Sequence, residues 1–546
     1  MAPNLPNMTR RRFVELGSTG LLLSQASLGL TADEPSGRAG LVVGQPEGAE
    51  AGQRVLTDGG NAVDAVVAAA LVAAVVSISN CGIGGYGGHL VVGWPDGKVA
   101  AIDFNSTAPA AARADMYPLD ARGHVRGGVN ETGWLAAGVP GTLAGLQLAL
   151  DRFGSRPLGS LLAPAIRFAR EGFPLPQPLA DVIRNFSGQF QRDPGSARLF
   201  FTDGKTPAAG EIFRNPDLAA LLEKLAAENS VASFYHGEIA RHIAREFQKH
   251  GGLVTAQDLT NYQAHEVRPL ALQWCGATVY TAPLTAGGLS VLQALATLKA
   301  LGWETMDPVD PKSAQARVEA LRIAWHDRLT LLGDPEAGEV PVARFLSDAQ
   351  AERSAEQVRQ ALKEERPIPG ATDGRSAGGT THLSAVDKNG MMVALTLTHG
   401  NGFGARVTVE GLGLILGHGM SRFNPQPGHP NSPRPGARPL DNMCPSLVFR
   451  GGRAAIAMGA TGGRRIPNTL CDVLVNLMGR EQSLDVAASA PRMHTEGGVL
   501  LQLAKGWSDE QIAYFKRVGY TVEPGAGANF NGIARNPASG DLVHVP

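Results

Sequence analysis

Two glycines stand directly before two threonines in "GGTTH", residues 378–382 of a 546-residue chain. A threonine hydroxyl is a poor nucleophile unless a base sits beside it. The α-amine of the same residue is such a base when the threonine is a chain terminus. Cleavage of the Gly379–Thr380 bond would create hydroxyl and amine together. A glycine before the threonine leaves the carbonyl open to attack and lets the bond take a strained geometry. There is also a structural reading: threonine favours strands, and Thr380-Thr381-His382 is an ordinary way to begin one. A second glycine pair, Gly462-Gly463 in "MGATGGRRIPNTL", links an apolar strand to a helical segment. Consecutive backbone N–H groups at such a turn form an oxyanion hole, or serve only as a strand–helix joint.

The elements that must position these residues are visible in the apolar periodicity. Residues 381–399 read as a hairpin whose "KNG" turn puts Gly390 in the left-handed conformation. That register sets Thr380 opposite Thr398; a slip of one residue would substitute His399. Helical periodicity runs through 141–153, 159–171, 216–227, 236–250, 289–301 and 313–332. Strand-like runs occupy 89–93, 98–104, 268–282, 381–386, 392–399, 412–416, 446–449 and 454–458. Such a mixture suggests antiparallel sheets covered by helices, an α+β arrangement. Residues 59–77, capped by Asn61, read as a buried helix; Asp64 and the short length argue against a membrane span. The glycine loop "GIGGYGGHL" lacks the lysine of a phosphate cradle and precedes a strand. Residues 352–377 pass from a charged helix into an exposed connector that leads to the Gly-Gly-Thr segment.

Apolar residues make up 43 % and charged residues 18 % of the chain, enough for a large core. With 49 basic and 50 acidic residues the net charge is −1, which argues against nucleic acid as a partner. Cys81, Cys275, Cys444 and Cys471 have no zinc-ligand spacing, so no metal site is expected; two disulfides or four free thiols both fit. Near the N-terminus, "TRRRFVELGSTGLLLSQASLGL" has the twin-arginine export pattern followed by a short, weakly apolar stretch. Residues 1–32 are expected to be an export signal ending near Ala32, giving a periplasmic or other extracytoplasmic protein without a stable membrane span. A basic amphipathic start to a cytoplasmic protein is the other reading.

Taken in order, "VLTDGGNAVDA", "GIGGYGGHL", "AIDFNSTAP", "GVPGTLAGL", "GGLVTAQDLTNY", "AGGLSVLQAL", "GGTTHLSAVDKNG", "RPLDNMCPSLV" and "GATGGRRI" resemble the gamma-glutamyltransferase family of N-terminal nucleophile hydrolases. The resemblance implies a four-layer αββα sandwich and a precursor that cuts itself into a large subunit, residues 33–379, and a small one, residues 380–546. The two fragments stay together as one domain. It implies Thr380 as nucleophile with its new amine as base, Thr398 as its hydrogen-bond partner, and Gly462 and Gly463 as the oxyanion hole. No metal or organic cofactor is required. The expected substrate is a small amide, usually γ-glutamyl, with water or an amine as acceptor.

The substrate pocket departs from the family pattern. Members that use glutathione hold the α-carboxylate with an arginine where this chain has Asn105. They hold the α-amine with glutamine and aspartate where this chain has Gly419 and Arg422. A serine pair is replaced by Asp441-Asn442, and an expected asparagine stands one position late, as Asn401. Arg422 would set a like charge beside an α-ammonium. Asp441 could instead take the amine while Arg422 or Arg438 takes the carboxylate. The alternatives are an acylase for a non-glutamyl amide and an uncut binding protein. The Pro- and Gly-rich segment 423–440 is short for a lid, which favours hydrolysis over transfer.

Overall fold

A computed structural model of the chain describes residues 40–370, 378–525, 527–536 and 539–546. The expected export signal and the end of the connector lie outside the described residues. In chain order the main strands are β1 (Gly40–Val43), β2 (Gly87–Gly93), β3 (Val99–Asp103), β4 (His265–Val267), β5 (Leu270–Trp274), β6 (Ala277–Thr281), β7 (Thr381–Asp387), β8 (Met392–Thr398), β9 (Ser446–Arg450), β10 (Arg453–Thr461), β11 (Asn529–Arg535) and β12 (Leu542–Val545). Among the described residues they form two antiparallel six-stranded sheets, ordered β1-β7-β8-β2-β3-β4 and β12-β11-β10-β9-β6-β5. The principal covering helices are α1 (Pro46–Thr57), α2 (Ala62–Val76), α3 (Gly288–Leu301), α4 (Pro311–Thr330), α5 (Asp348–Glu364) and α6 (Arg465–Leu474).

Alternation along the strands decides the layering. Leu383, Ala385, Val393 and Leu395 pack outward against α1 and α2. Their neighbours Val386, Met392 and Ala394 point the other way, onto Leu447, Phe449, Ala457 and Ile533 of the second sheet. That sheet turns Val448, Ile456 and Met458 outward onto α3, α4 and α6. The result is the αββα sandwich that the family resemblance implies. Both faces of β7 are covered, so it is buried along its whole length.

Helix α2 is buried at every position, and Asn61 caps it in a capping box with Asp64. Asp64 also accepts the N–H groups of Ser155 and Arg156, at 2.8 and 3.1 Å, tying the helix start to a distant loop. Among the described residues no helix is long and apolar enough to cross a membrane. The apolar run 268–282 is split into β5 and β6, because Cys275 and Gly276 both take positive φ, 47° and 70°. This is the two-residue hairpin geometry. All four cysteines are free thiols, three of them buried.

The chain leading to Gly379 is fastened at its near end. On α4, buried Glu319 and Arg322 pair at 2.8 Å. Arg322 Nη2 donates to the Ile368 carbonyl at 2.6 Å, and Glu319 accepts the Ile368 N–H at 3.3 Å.

The sheets meet closely at the entry of β7. The His382 imidazole lies where a side chain on Gly459 of β10 would stand, 2.2 Å from an ideal Cβ. Its nitrogens bond Thr396 Oγ1 at 2.7 Å and Ser384 Oγ at 3.0 Å. Burial pushes its pKa from 6.5 down to about 3, so the ring is neutral in the fold and charged only in the unfolded chain below 6.5. Its contribution to stability is therefore present above 6.5 and lost as the pH falls toward 3. Urea titrations across that window should show a smaller loss of stability with acid in His382→Gln than in the parent. Equal pH slopes would count against this account of the ring.

Candidate active site

Thr380 enters β7 from Gly379, and the hairpin to β8 sets what lies beside it. The pairing runs from Val386 opposite Met392 to Thr381 opposite Leu397, the expected register. Gly390 has φ 88° in the turn, as expected. Asp387 fastens that turn by accepting the N–H groups of Asn389 and Met391 at 2.9 and 3.1 Å. Continuing the register brings Thr398 to Thr380, with their hydroxyl oxygens 3.3 Å apart. Thr398 Oγ1 accepts the Gly400 N–H at 2.7 Å and donates to the Gly379 carbonyl. The hydrogen between the two threonines must therefore come from Thr380. One hydroxyl thus orients the Thr380 oxygen and polarises the carbonyl on the other side of the same peptide bond. Gly379 has φ 95°, and a Cβ there would stand 2.9 Å from the carbonyl carbon of Asn401. Only glycine fits.

His399 faces elsewhere. It is fully buried behind Gly82, and burial pushes its pKa down to about 3, so no charged base stands there.

The second glycine pair lies at the end of β10. Gly459 pairs with Asn531 on β11, and Asn531 Nδ2 donates to the His382 carbonyl at 3.1 Å. Farther along β11, the Arg535 guanidinium lies against Gly390 at the opposite end of the hairpin. Strand β11 therefore runs with β7, and its antiparallel neighbour β10 runs against it. The end of β10, with Gly462-Gly463 after it, returns toward Thr380. The two glycines take φ 141° and 62°, and their carbonyls accept the Arg465 and Ile466 N–H groups that open α6. The turn therefore sits at the positive end of α6, where the helix dipole favours an anion.

The candidate pocket residues gather around Tyr86, which the sequence did not single out. Asn105 is fully buried, and its Nδ2 reaches Thr285 Oγ1, the Pro439 carbonyl and Asp441 Oδ2 at 2.6, 2.8 and 3.1 Å. Asp441 also accepts His89 Nε2 at 2.8 Å and the Met443 N–H at 2.7 Å. Arg328 of α4 donates to the Asp441 carbonyl, and burial holds that guanidinium down to about 10. Burial first, and the Asp441 carboxylate next, raise the Tyr86 phenol well above its ordinary value. Gly419 lies beneath Ser106 and Tyr86; a Cβ there would stand 2.6 Å from Ser106 Oγ. Arg422 donates to the carbonyl of Gly400, the residue whose N–H bonds Thr398. Asn401 packs its backbone on Gly379, and its Oδ1 accepts the Gly402 N–H at 2.9 Å. Half-buried Asn442 packs its carbonyl beside Gly287. Arg438 is engaged by Asp103, Glu336 and the Gln263 carbonyl.

Tyr86 and His89 lie inside "GIGGYGGHL", and their signal was available: a tyrosine and a histidine interrupting a glycine loop. Arg328 and Thr285 gave none, since only the fold brings them to Asp441. Among the described residues no cluster of metal-ligating side chains is present.

A gamma-glutamyltranspeptidase family model matches residues 48–544. The chain is 34 % identical over 488 residues to the glutathione hydrolase proenzyme of Escherichia coli (strain K12), covering 87 % of this chain and 84 % of that protein. It is 35 % identical over 519 residues to the acylase ACY 1 proenzyme of Pseudomonas sp. (strain SE83), covering 92 % and 91 %. The crystal structure of cephalosporin acylase from Bacillus halodurans superposes with TM-score 0.82 at 26 % identity, covering 93 % and 94 %. The chain belongs to the gamma-glutamyltranspeptidase family of enzymes.

On a denaturing gel, Thr380→Ala should remain one band near the full 57.1 kDa and lack turnover, while Thr380→Ser still yields two fragments. Thr398→Val removes the donor to the Gly379 carbonyl and should slow cutting by about 10²–10³-fold, the usual effect of losing one such donor. Cutting at the normal rate in Thr398→Val would show that this bond has no part in it.

Proposed function

We propose that this member of the gamma-glutamyltranspeptidase family is a self-cutting threonine amidase of the acylase type, hydrolysing amides whose acyl group bears a carboxylate but no α-ammonium. The carrying observation is Arg422 over Gly400, a cation beside the nucleophile's partner where glutathione-using members have an anion. The pinched site of Gly419, with no room for a side chain, further supports an α-amine having no partner there. Asn105 in place of an arginine, its amide committed to Asp441, supports the loss of the usual carboxylate holder.

Maturation breaks Gly379–Thr380. Thr380 Oγ attacks the Gly379 carbonyl; as the ester forms the Gly379–Thr380 C–N bond breaks and the hydroxyl proton passes to the freed Thr380 amine, and water then cleaves the ester to give the Gly379 carboxylate and the Thr380 hydroxyl. In turnover that amine takes the hydroxyl proton, Thr380 Oγ attacks the substrate carbonyl, and the N–H groups of Gly462 and Gly463 hold the oxyanion. The protonated amine passes its proton to the leaving nitrogen, and water then cleaves the acyl-enzyme. Hydrolysis is favoured over transfer because segment 423–440 is short for a lid, which would let water compete with an amine acceptor. Within it the Asn424 N–H bonds the Asn431 carbonyl at 2.7 Å, and His429 reaches the Leu329 carbonyl at 2.9 Å. The twin-arginine pattern supports export to the periplasm or beyond, with residues 1–32 removed.

The second reading, cleavage of a γ-glutamyl group, is favoured by relatives named glutathione hydrolases at 34 % identity. Glutaryl and γ-glutamyl p-nitroanilides differ only by the α-ammonium and separate the two. The glutaryl compound should have the larger kcat/KM by about tenfold or more, and Arg422→Gln should erase that advantage mainly through KM. Preference for the γ-glutamyl compound would favour the second reading.

A further inference from the structure

The acyl-type reading leaves Asp441 to be explained. An anion in the same pocket should attract the very ammonium that Arg422 repels. What the Asp441 carboxylate faces removes the conflict. His89 on β2 is completely buried, with Nε2 at 2.8 Å from Asp441 Oδ2 and Nδ1 at 3.6 Å from Asp103 Oδ1. Nδ1 has no hydrogen-bond partner among the described residues, so the Asp103 carboxylate is the group it faces. A neutral imidazole has one N–H and one lone pair, and would turn that lone pair toward one of the two carboxylates. An imidazolium suits both.

The surroundings agree. Asp103 stands opposite His89 in the β2–β3 register, and uncharged Thr396 stands opposite it on β8. Arg438 Nε lies 3.7 Å from the same Asp103 oxygen, and Asn105 Nδ2 lies 3.1 Å from Asp441 Oδ2. Burial, and more weakly Arg438, act against a charged ring; the Asp441 and Asp103 carboxylates outweigh them and hold its pKa above the ordinary value.

We propose that His89 is a specificity-determining residue: as an imidazolium clamped between Asp103 and Asp441, it cancels the Asp441 charge, so the pocket rejects an α-ammonium and admits an acyl group bearing only a carboxylate. This rests on the acyl-type reading above and names the residue that enforces it. His89 acts through Asp441 and touches no reacting atom, so it is a positioning residue for the pocket's charge.

The test uses the self-processed enzyme and the glutaryl and γ-glutamyl p-nitroanilides. His89→Gln removes the cation bonded to the Asp441 carboxylate, and the glutaryl-to-γ-glutamyl ratio of kcat/KM should fall about tenfold or more. Adding Asp441→Asn should restore it. An unchanged ratio in a processed His89→Gln enzyme overturns the inference and leaves the acyl-type reading standing. A parent enzyme that prefers the γ-glutamyl compound overturns that reading, and the inference with it. Nitrogen NMR of the imidazoles gives a readout independent of whether His89→Gln folds. In the parent at neutral pH both His89 nitrogens should carry protons, and Asp441→Asn should return the ring to one. A singly protonated His89 in the parent overturns the proposal.

Discussion

The hydroxyl of Thr398 bridges the two sides of one peptide bond, and the fold is arranged to keep it there. Its oxygen takes the Thr380 hydrogen and the Gly400 N–H, while its own hydrogen goes to the Gly379 carbonyl. Such a bridge depends on strand register, since one residue of slip would turn every side chain of β8 to the other face. Register in turn depends on the covered faces of the hairpin and on the Asp387-fastened turn. Layering, turn chemistry and chemical site are therefore consequences of a single alignment between two strands.

Charges of both signs meet in the candidate pocket. Around Tyr86 the described residues include two carboxylates, Asp103 and Asp441, and the bases His89, Arg328, Arg438 and Arg422. Most of them are internally paired. Asn105 and His89 both bond Asp441, Arg438 pairs with Asp103, and Arg422 reaches Gly400 at the edge of this network. Buried pairs of this kind add little net stability, because desolvation offsets most of their attraction.

Much of this was legible in the sequence, for physical reasons that differ by element. The Thr380–Thr398 pairing followed from a glycine turn and period-two alternation, both local signals. Helix α2 followed from Asn61 and an unbroken apolar run. The split of the 268–282 run was missed because Cys275 in a left-handed turn carries no warning in its residue type. The arrival of Gly462-Gly463 near Thr380 could not be read from either segment, since it depends on how one sheet lies across the other. The commitment of Asn105 and Asp441 to each other was equally hidden: they are far apart in sequence, and each looked like an independent ligand for substrate.

The tie between α4 and the connector sets a limit on the proposed cut. Ile368 is gripped by Arg322 and Glu319, and Gly379 follows eleven residues later in the sequence. A carboxyl end created at Gly379 would stay within about 40 Å of that anchor. Leaving group and nucleophile would then remain parts of one molecule, at an effective concentration on the order of millimolar.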